Sequence, residues 1–409
     1  MAKNTQSTPA GAGSVDEDFI PVLTPKNLRV DRLPARRIAL GQLDDQKPSL
    51  VLLPDGQLLL TAFNISRKHD GKIQIDNLLF RSHDDGLTWS RREVMDLPGV
   101  ELYFTVTSDG TVFATANHLT ADISNQDGLN YSLLHRSDDK GATWATLRIT
   151  AEDISGAPPE TFVGLSRNVL ELADGTLVMG VSEDNGGADF LWQSRDGGGT
   201  WEKDLRCEFE GVDKATTTCG HWCPFFGEAI LWQANCGDIL GLFRVYPPQF
   251  EPLPNDGDYR RGYVKELDDQ HDRLLVFRTS DGGRSWRREK ELGSYYGEMF
   301  PSILRLQDGR LLLTFTVRSL HPPLGVHAVL GEETPDGFSF DFASDRMVID
   351  SKTPLDQISG GGFGPTVQLN DGTLITAYSY RGSSELMQLD SFIVQKQQLE
   401  VVRWHLPPQ

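Results

Sequence analysis

The chain has 409 residues and carries 39 Lys and Arg against 58 Asp and Glu, a formal net charge of −19 whose field opposes binding to nucleic acid or an anionic membrane. Hydrophobic residues make up 38%, enough for a substantial core, and 40 Gly with 22 Pro suit a fold of many tight turns and little helix. No stretch approaches the ~18 apolar residues of a membrane span, and the opening MAKNTQSTPAGAGSVDED has no apolar signal core, so the chain as written is expected to be cytoplasmic unless processing exports it.

In chain order, residues 1–20 read as a disordered tail, being rich in Ser, Thr, Gly and Ala with few large apolar side chains. Residues 21–409 read as one domain. Arg36 to Leu40 predicts a strand that closes the domain by joining its last sheet. After it comes a repeated pattern of apolar strand, Asp-Gly turn and apolar strand, with turns at Asp55, Asp109, Asp174, Asp308 and Asp371 and a variant at Cys236-Gly237. Asp-Gly between apolar runs is a strong hairpin signal, because Gly supplies positive φ and Asp accepts local backbone N–H bonds.

A third strand follows each hairpin, and in four cases it ends in the frame SxDxGxTW: Ser82 to Trp89, Ser137 to Trp144, Ser194 to Trp201 and, relaxed, Thr279 to Trp286. Half of the eight tryptophans sit in these frames. The fifth unit keeps a worn copy, VHAVLGEETPDGFSF, and the sixth keeps only strands, DSFIVQKQQL and then EVVRWH. The predicted architecture is all-β, a six-bladed β-propeller with four-stranded antiparallel blades.

That topology puts both kinds of turn on one face and gathers the heads of the inner strands on the other, where loops converge on a rigid scaffold. Eight residues before each turn lies one axial position per blade: Lys47, Glu101, Ser166, Glu228, Phe300 and Phe363. The ends of the second strands and the loops after them add Arg67, Asp70, His118, Arg244, Tyr246 and Arg318. Any one loop Asp or Arg reads most simply as solvated, but a set of acids and arginines aimed at one pocket suits an acidic sugar, since Arg grips carboxylates bidentately.

The four cysteines all lie between Cys207 and Cys236. Cys219-x-x-x-Cys223 encloses His221, but the spacing is loose for zinc and no second ligand pair follows, so buried thiols or a local disulfide are the simpler readings. The long fourth-unit segment from Cys207 to Tyr263 is expected to overhang the pocket and set specificity.

With its four Asp-boxes (BNR repeats) and six hairpins, the chain resembles the sialidase (neuraminidase) superfamily from about Arg36 to Trp404. The resemblance implies a glycoside hydrolase acting on a carbohydrate, with no metal or organic cofactor. It places the paired Glu at Glu228, a clamp Arg at Arg244, the acid/base Asp at Asp70 with Arg67 beside it, and a further clamp Arg at Arg318. Two hallmarks depart from the family: its first clamp arginine becomes Gln46-Lys47-Pro48, and its nucleophilic tyrosine becomes Phe363. Lys47, His118, Trp222 and Tyr246 complete the expected sugar pocket. Three functions follow: hydrolysis of a terminal acidic sugar by Asp70 and Glu228, a lyase acting on a uronate, or a propeller that binds glycan or protein without turnover.

Overall fold

The computed structural model describes residues 18–408 apart from 68–71, 185–186, 212–224, 246–272, 290–291, 293–296, 319–322, 336, 351, 354–361 and 390–391, with the side chains of 66–67 and 381–396 likewise outside the description. Among the described residues there is no α-helix, only a single 3-10 turn at Ala151–Asp153, and no helix is long and apolar enough to cross a membrane.

Successive sheets make up the molecule, antiparallel except in the fourth unit, where Glu208–Phe209 adds a fifth strand in parallel to Ser285–Arg288. In the first, Gln46–Leu52, Leu58–Arg67, Ile73–Ser82 and Glu93–Met95 pair in chain order. The run Leu58, Leu59 and Leu60 is wholly buried, because the second strand is covered on both faces by neighbouring sheets. Asp55 accepts the Gln57 N–H at 3.1 Å and Gly56 turns the chain at φ 88°. The same arrangement recurs at Asp109, Asp174, Asp308 and Asp371, each accepting the N–H two residues on.

The inner strands neighbour one another in chain order and return to the start. Gln46–Leu52 packs on Val100–Val106, Leu170–Glu171 on Ile230–Gln233, Ile230–Gln233 on Glu298–Arg305, Glu298–Arg305 on Thr366–Gln368, and Thr366–Gln368 on Gln46–Leu52. Between sheets the fit is tight. A Cβ on Gly180 would stand 2.2 Å from Cδ1 of Phe226, so only glycine lets the third sheet meet the Phe209, Phe225, Phe226 and Phe243 cluster of the fourth.

The SxDxGxTW frames are self-contained hydrogen-bond knots. In the first, Ser82 Oγ donates to Asp84 at 2.9 Å and accepts from the Gly86 N–H at 2.9 Å, while the Thr88 N–H and hydroxyl donate to the same carboxylate at 2.9 and 2.6 Å. The copies at Asp139, Asp196 and Asp281 repeat the pattern. These bonds hold all four carboxyls down at about 2, chiefly through the Thr hydroxyl at Asp84 and Asp139 and through the backbone N–H of Thr200 and Ser285 at Asp196 and Asp281. A depressed folded value stabilises above the unfolded pKa and is lost as pH falls through the folded one. The denaturant midpoint is therefore expected to drop between roughly pH 4 and 2, and Asp84→Asn to shrink that drop. A midpoint flat across that range would contradict it.

Closure differs in detail from the sequence expectation. Arg32–Leu40 does pair with the last strand, Leu40 facing Leu399 and Ala35 facing Trp404. However, DSFIVQKQQL and EVVRWH are not two strands. Phe392–Trp404 is one strand paired with Leu374–Leu389, and Arg32–Leu40 takes the outer place of the sixth unit. The physical reason is that no turn residue interrupts Gln397 to Val401, so the pairing runs on. Asp18–Leu23, three residues of which fall in the expected tail, is also a strand; it bridges Arg32–Leu40 to Arg346–Val348 and so fuses the fifth and sixth units into a ten-stranded sheet. Cys207 is buried and Cys236 is an exposed thiol; Cys219, His221 and Cys223 lie outside the described residues.

Candidate active site

The heads of the inner strands are irregular in a repeated way. The ladder skips between Gln46 and Ser49, between Val100 and Tyr103, and between Met299 and Ser302, placing a bulge at Lys47, Glu101 and Phe300. These three residues and Phe363 have φ of 50°, 57°, 52° and 64°, a left-handed backbone that L side chains adopt at a cost of about 1–3 kcal/mol each. In the third unit the inner strand breaks outright between Val163–Leu165 and Leu170–Glu171, and Arg167 sits in the break with its N–H donating to Ala229 O at 2.8 Å. Bulges re-aim side chains, and here they turn them toward the axis.

The result is a chain of alternating charge. Lys47 Nζ donates to Glu101 Oε1 in a very short contact, Arg167 Nη2 lies 3.2 Å from Glu101 Oε2 and 3.2 Å from Glu228 Oε1, and Arg244 Nη1 lies 2.6 Å from Glu228 Oε2. Beneath them Phe300 and Phe363 stack with ring centroids 4.6 Å apart. The guanidinium carbons of Arg167, Arg244 and Arg318 stand 5.1, 5.0 and 4.9 Å from the Phe300 centroid, within cation–π range. Burial alone would push the Glu101 carboxyl up, but the charges of Lys47 and Arg167 outweigh it and hold the group at about 2. Glu101 is thus an anion at neutral pH.

The sequence-predicted residues divide into three groups. Lys47, Glu228, Arg244 and Arg318 come together in this cluster. Asp70, Trp222 and Tyr246, with the side chain of Arg67, lie outside the described residues, as does most of the segment expected to overhang the pocket. His118 is elsewhere: it is 4% exposed, with Nδ1 2.7 Å from the Tyr131 hydroxyl and Nε2 3.0 Å from Ser124 Oγ, a histidine satisfied within its own sheet. The expected place of His118 in a sugar pocket is therefore not seen in its contacts, which run to Tyr131 and Ser124 and not to the cluster.

Two residues escaped the sequence reading. Arg167 was hidden because the third inner strand breaks, so the residue that reaches the axis follows the counted position Ser166 by one. Tyr103, two residues beyond Glu101, bonds the Ser302 side chain of the fifth unit and is raised in pKa by burial, with Arg167 opposing. The period-2 alternation from Glu101 would have found it. Gln46, where a clamp arginine was sought, instead accepts from Gln397 Nε2 at 2.9 Å and joins the first unit to the sixth.

Comparison with known proteins identifies the fold. No family model matches the chain, and neither does any curated protein. Solved structures do match over nearly its whole length. A protein of unknown function from Dyadobacter fermentans superposes with a TM-score of 0.62 at 18% identity, covering 91% of this chain and 99% of that one. The intramolecular trans-sialidase of Ruminococcus gnavus gives 0.56 at 14% identity, over 91% and 96%, and an α-L-arabinanase of Penicillium chrysogenum gives 0.52 at 13% identity, over 94% and 98%. The chain shares the fold of these solved structures.

Proposed function

We propose that the chain is a sialidase-like exo-glycosidase, built as six blades around the axis, that removes a terminal acidic sugar from a glycan. The observation that carries this reading is the gathering of three guanidinium groups on the face of Phe300 beside Glu228. Arginine pairs bidentately with a carboxylate, and an aromatic floor shields the pairing from water. Arg244 and Arg318 hold the acidic substituent, and Lys47 stands in for the clamp arginine that Gln46 cannot replace. Asp70, which follows the strand Leu58–Arg67 in the sequence, is the general acid for the leaving oxygen, and Glu228 is the carboxylate partner. The Asp-box turns lie on the far face and staple blades, taking no part in the chemistry.

A panel of aryl sialosides, uronides and deoxyglycosides tests this directly. The wild type is expected to release phenol from an acidic member, with Arg244→Met raising KM and Glu228→Gln lowering kcat by about 10²-fold. Full turnover in both Asp70→Asn and Glu228→Gln would remove the assignment. Phe363 favours a second reading, a glycan-binding propeller without turnover, since phenylalanine has no nucleophilic group. Calorimetry would then show stable saturation by an acidic glycan that is recovered intact.

A further inference from the structure

The glycosidase reading leaves the attacking group unassigned, because Phe363 stands where a nucleophile is needed. The carboxylate most closely tied to that position is Glu101. Both of its cationic partners also stand over the Phe363 ring, Lys47 at 5.5 Å and Arg167 at 4.6 Å, whereas the second partner of Glu228, Arg244, stands over Phe300 instead. The Glu101 side chain keeps 20% of its surface exposed, while Arg167, which bonds it, is only 6% exposed.

We infer that Glu101 is the nucleophile of this site, a carboxylate that replaces the missing tyrosine from the second unit instead of the sixth, with Arg167 as the residue that positions it. Each carboxylate oxygen has two acceptor sites, so the bonds from Lys47 and Arg167 leave a lone pair for attack. The bulge and the left-handed φ, 57° at Glu101, are shared with the strand heads at Lys47 and Phe300 and set its carboxylate among those heads, where Lys47 and Arg167 hold it. Glu228 shares the same Arg167 nitrogen, so its near oxygen is at most twice 3.2 Å from that of Glu101 and flanks the positive charge that develops on the sugar.

The step balances. A Glu101 oxygen bonds to the anomeric carbon as the bond from that carbon to the leaving oxygen breaks, and the departing oxygen keeps the electron pair and takes the proton of the general acid. Water then attacks the same carbon, gives its proton to the ionised acid, and releases Glu101 as carboxylate, with overall retention. This assignment rests on the glycosidase reading, and the experiment separates the two.

The aryl glycoside that the wild type cleaves fastest supplies the probe: the fluorinated glycosyl fluoride of the same sugar, with the labelled peptide located by mass spectrometry on wild-type protein. Label on the peptide holding Glu101, retained product configuration by NMR, and Glu101→Gln at least about 10³-fold slower while still folded at the assay temperature by circular dichroism are the expected results. Should Glu101→Gln fail to fold, the wild-type labelling and stereochemistry still decide. Azide restoring turnover to Glu101→Ala, by forming a glycosyl azide, would add support. Label on Glu228 or Tyr103, or an inverted product, would overturn Glu101 as nucleophile and leave the hydrolase intact. Cleavage of no member of the panel would overturn the glycosidase reading and this inference with it.

Discussion

Arg167→Ala is expected to reduce turnover of any acidic glycoside by at least about 10²-fold and to cost about 3–5 kcal/mol of stability. The guanidinium is nearly buried and bridges two carboxylates, so its removal leaves Glu101 and Glu228 as neighbouring anions. Like charges this close resist ionising together, and the Glu101 carboxyl loses one of the two charges that hold it at about 2. The sign follows: its pKa rises, and any acid limb in the pH–rate profile moves to higher pH. A merely structural arginine would lower stability without moving that limb. Arg167→Lys keeps the charge but not the fork of donors, so it is expected to recover most of the pH profile and only part of kcat. Unfolding in denaturant together with pH–rate profiles checks both halves, and an unshifted profile in Arg167→Ala would remove its positioning role.

Arg37→Ala is expected to destabilise the protein by a similar amount, about 3–5 kcal/mol, without touching the axial site. Arg37 is 4% exposed and ties together the segments that close the fold: Nε pairs with Asp18 at 2.6 Å, and Nη1 donates to Ile349 O at 2.8 Å and to the Tyr378 hydroxyl at 2.6 Å, with Glu400 at 3.4 Å. Tyr378 and Glu400, themselves bonded to each other, are buried. Deleting the guanidinium leaves the Glu400 charge with Lys352 and Tyr378 as its remaining contacts among those described, an anion short of compensation in a dry setting. The urea midpoint should fall with little change in slope. In the double variant Arg37→Met with Glu400→Gln both charges are gone, so much of the loss should be recovered. A midpoint for Arg37→Ala within about 0.5 kcal/mol of wild type would contradict the closure role.

The fold was legible in the sequence because its signals are local. Asp-Gly at a hairpin, or Ser, Asp, Gly, Thr and Trp in one frame, fixes a turn through bonds that span four residues, so each repeat declares itself. Counting from those turns also found Lys47, Glu228 and the Phe300 and Phe363 pair, since strand length is regular from unit to unit. Counting failed at Arg167, where the third inner strand breaks.

The sequence by itself determined the sheet units, their turns and the polar ring at the strand heads, all consequences of short-range backbone bonding and period-2 alternation. Only the tertiary structure decided which of the ring residues meet. Lys47, Glu101, Arg167, Glu228 and Arg244 come from four separate units, and their contacts depend on bulges and on the packing of sheet against sheet. Closure was likewise a tertiary decision: an open strand edge at the end of the chain is covered by whichever strand can reach it, and here Arg32–Leu40 and Asp18–Leu23 do so together.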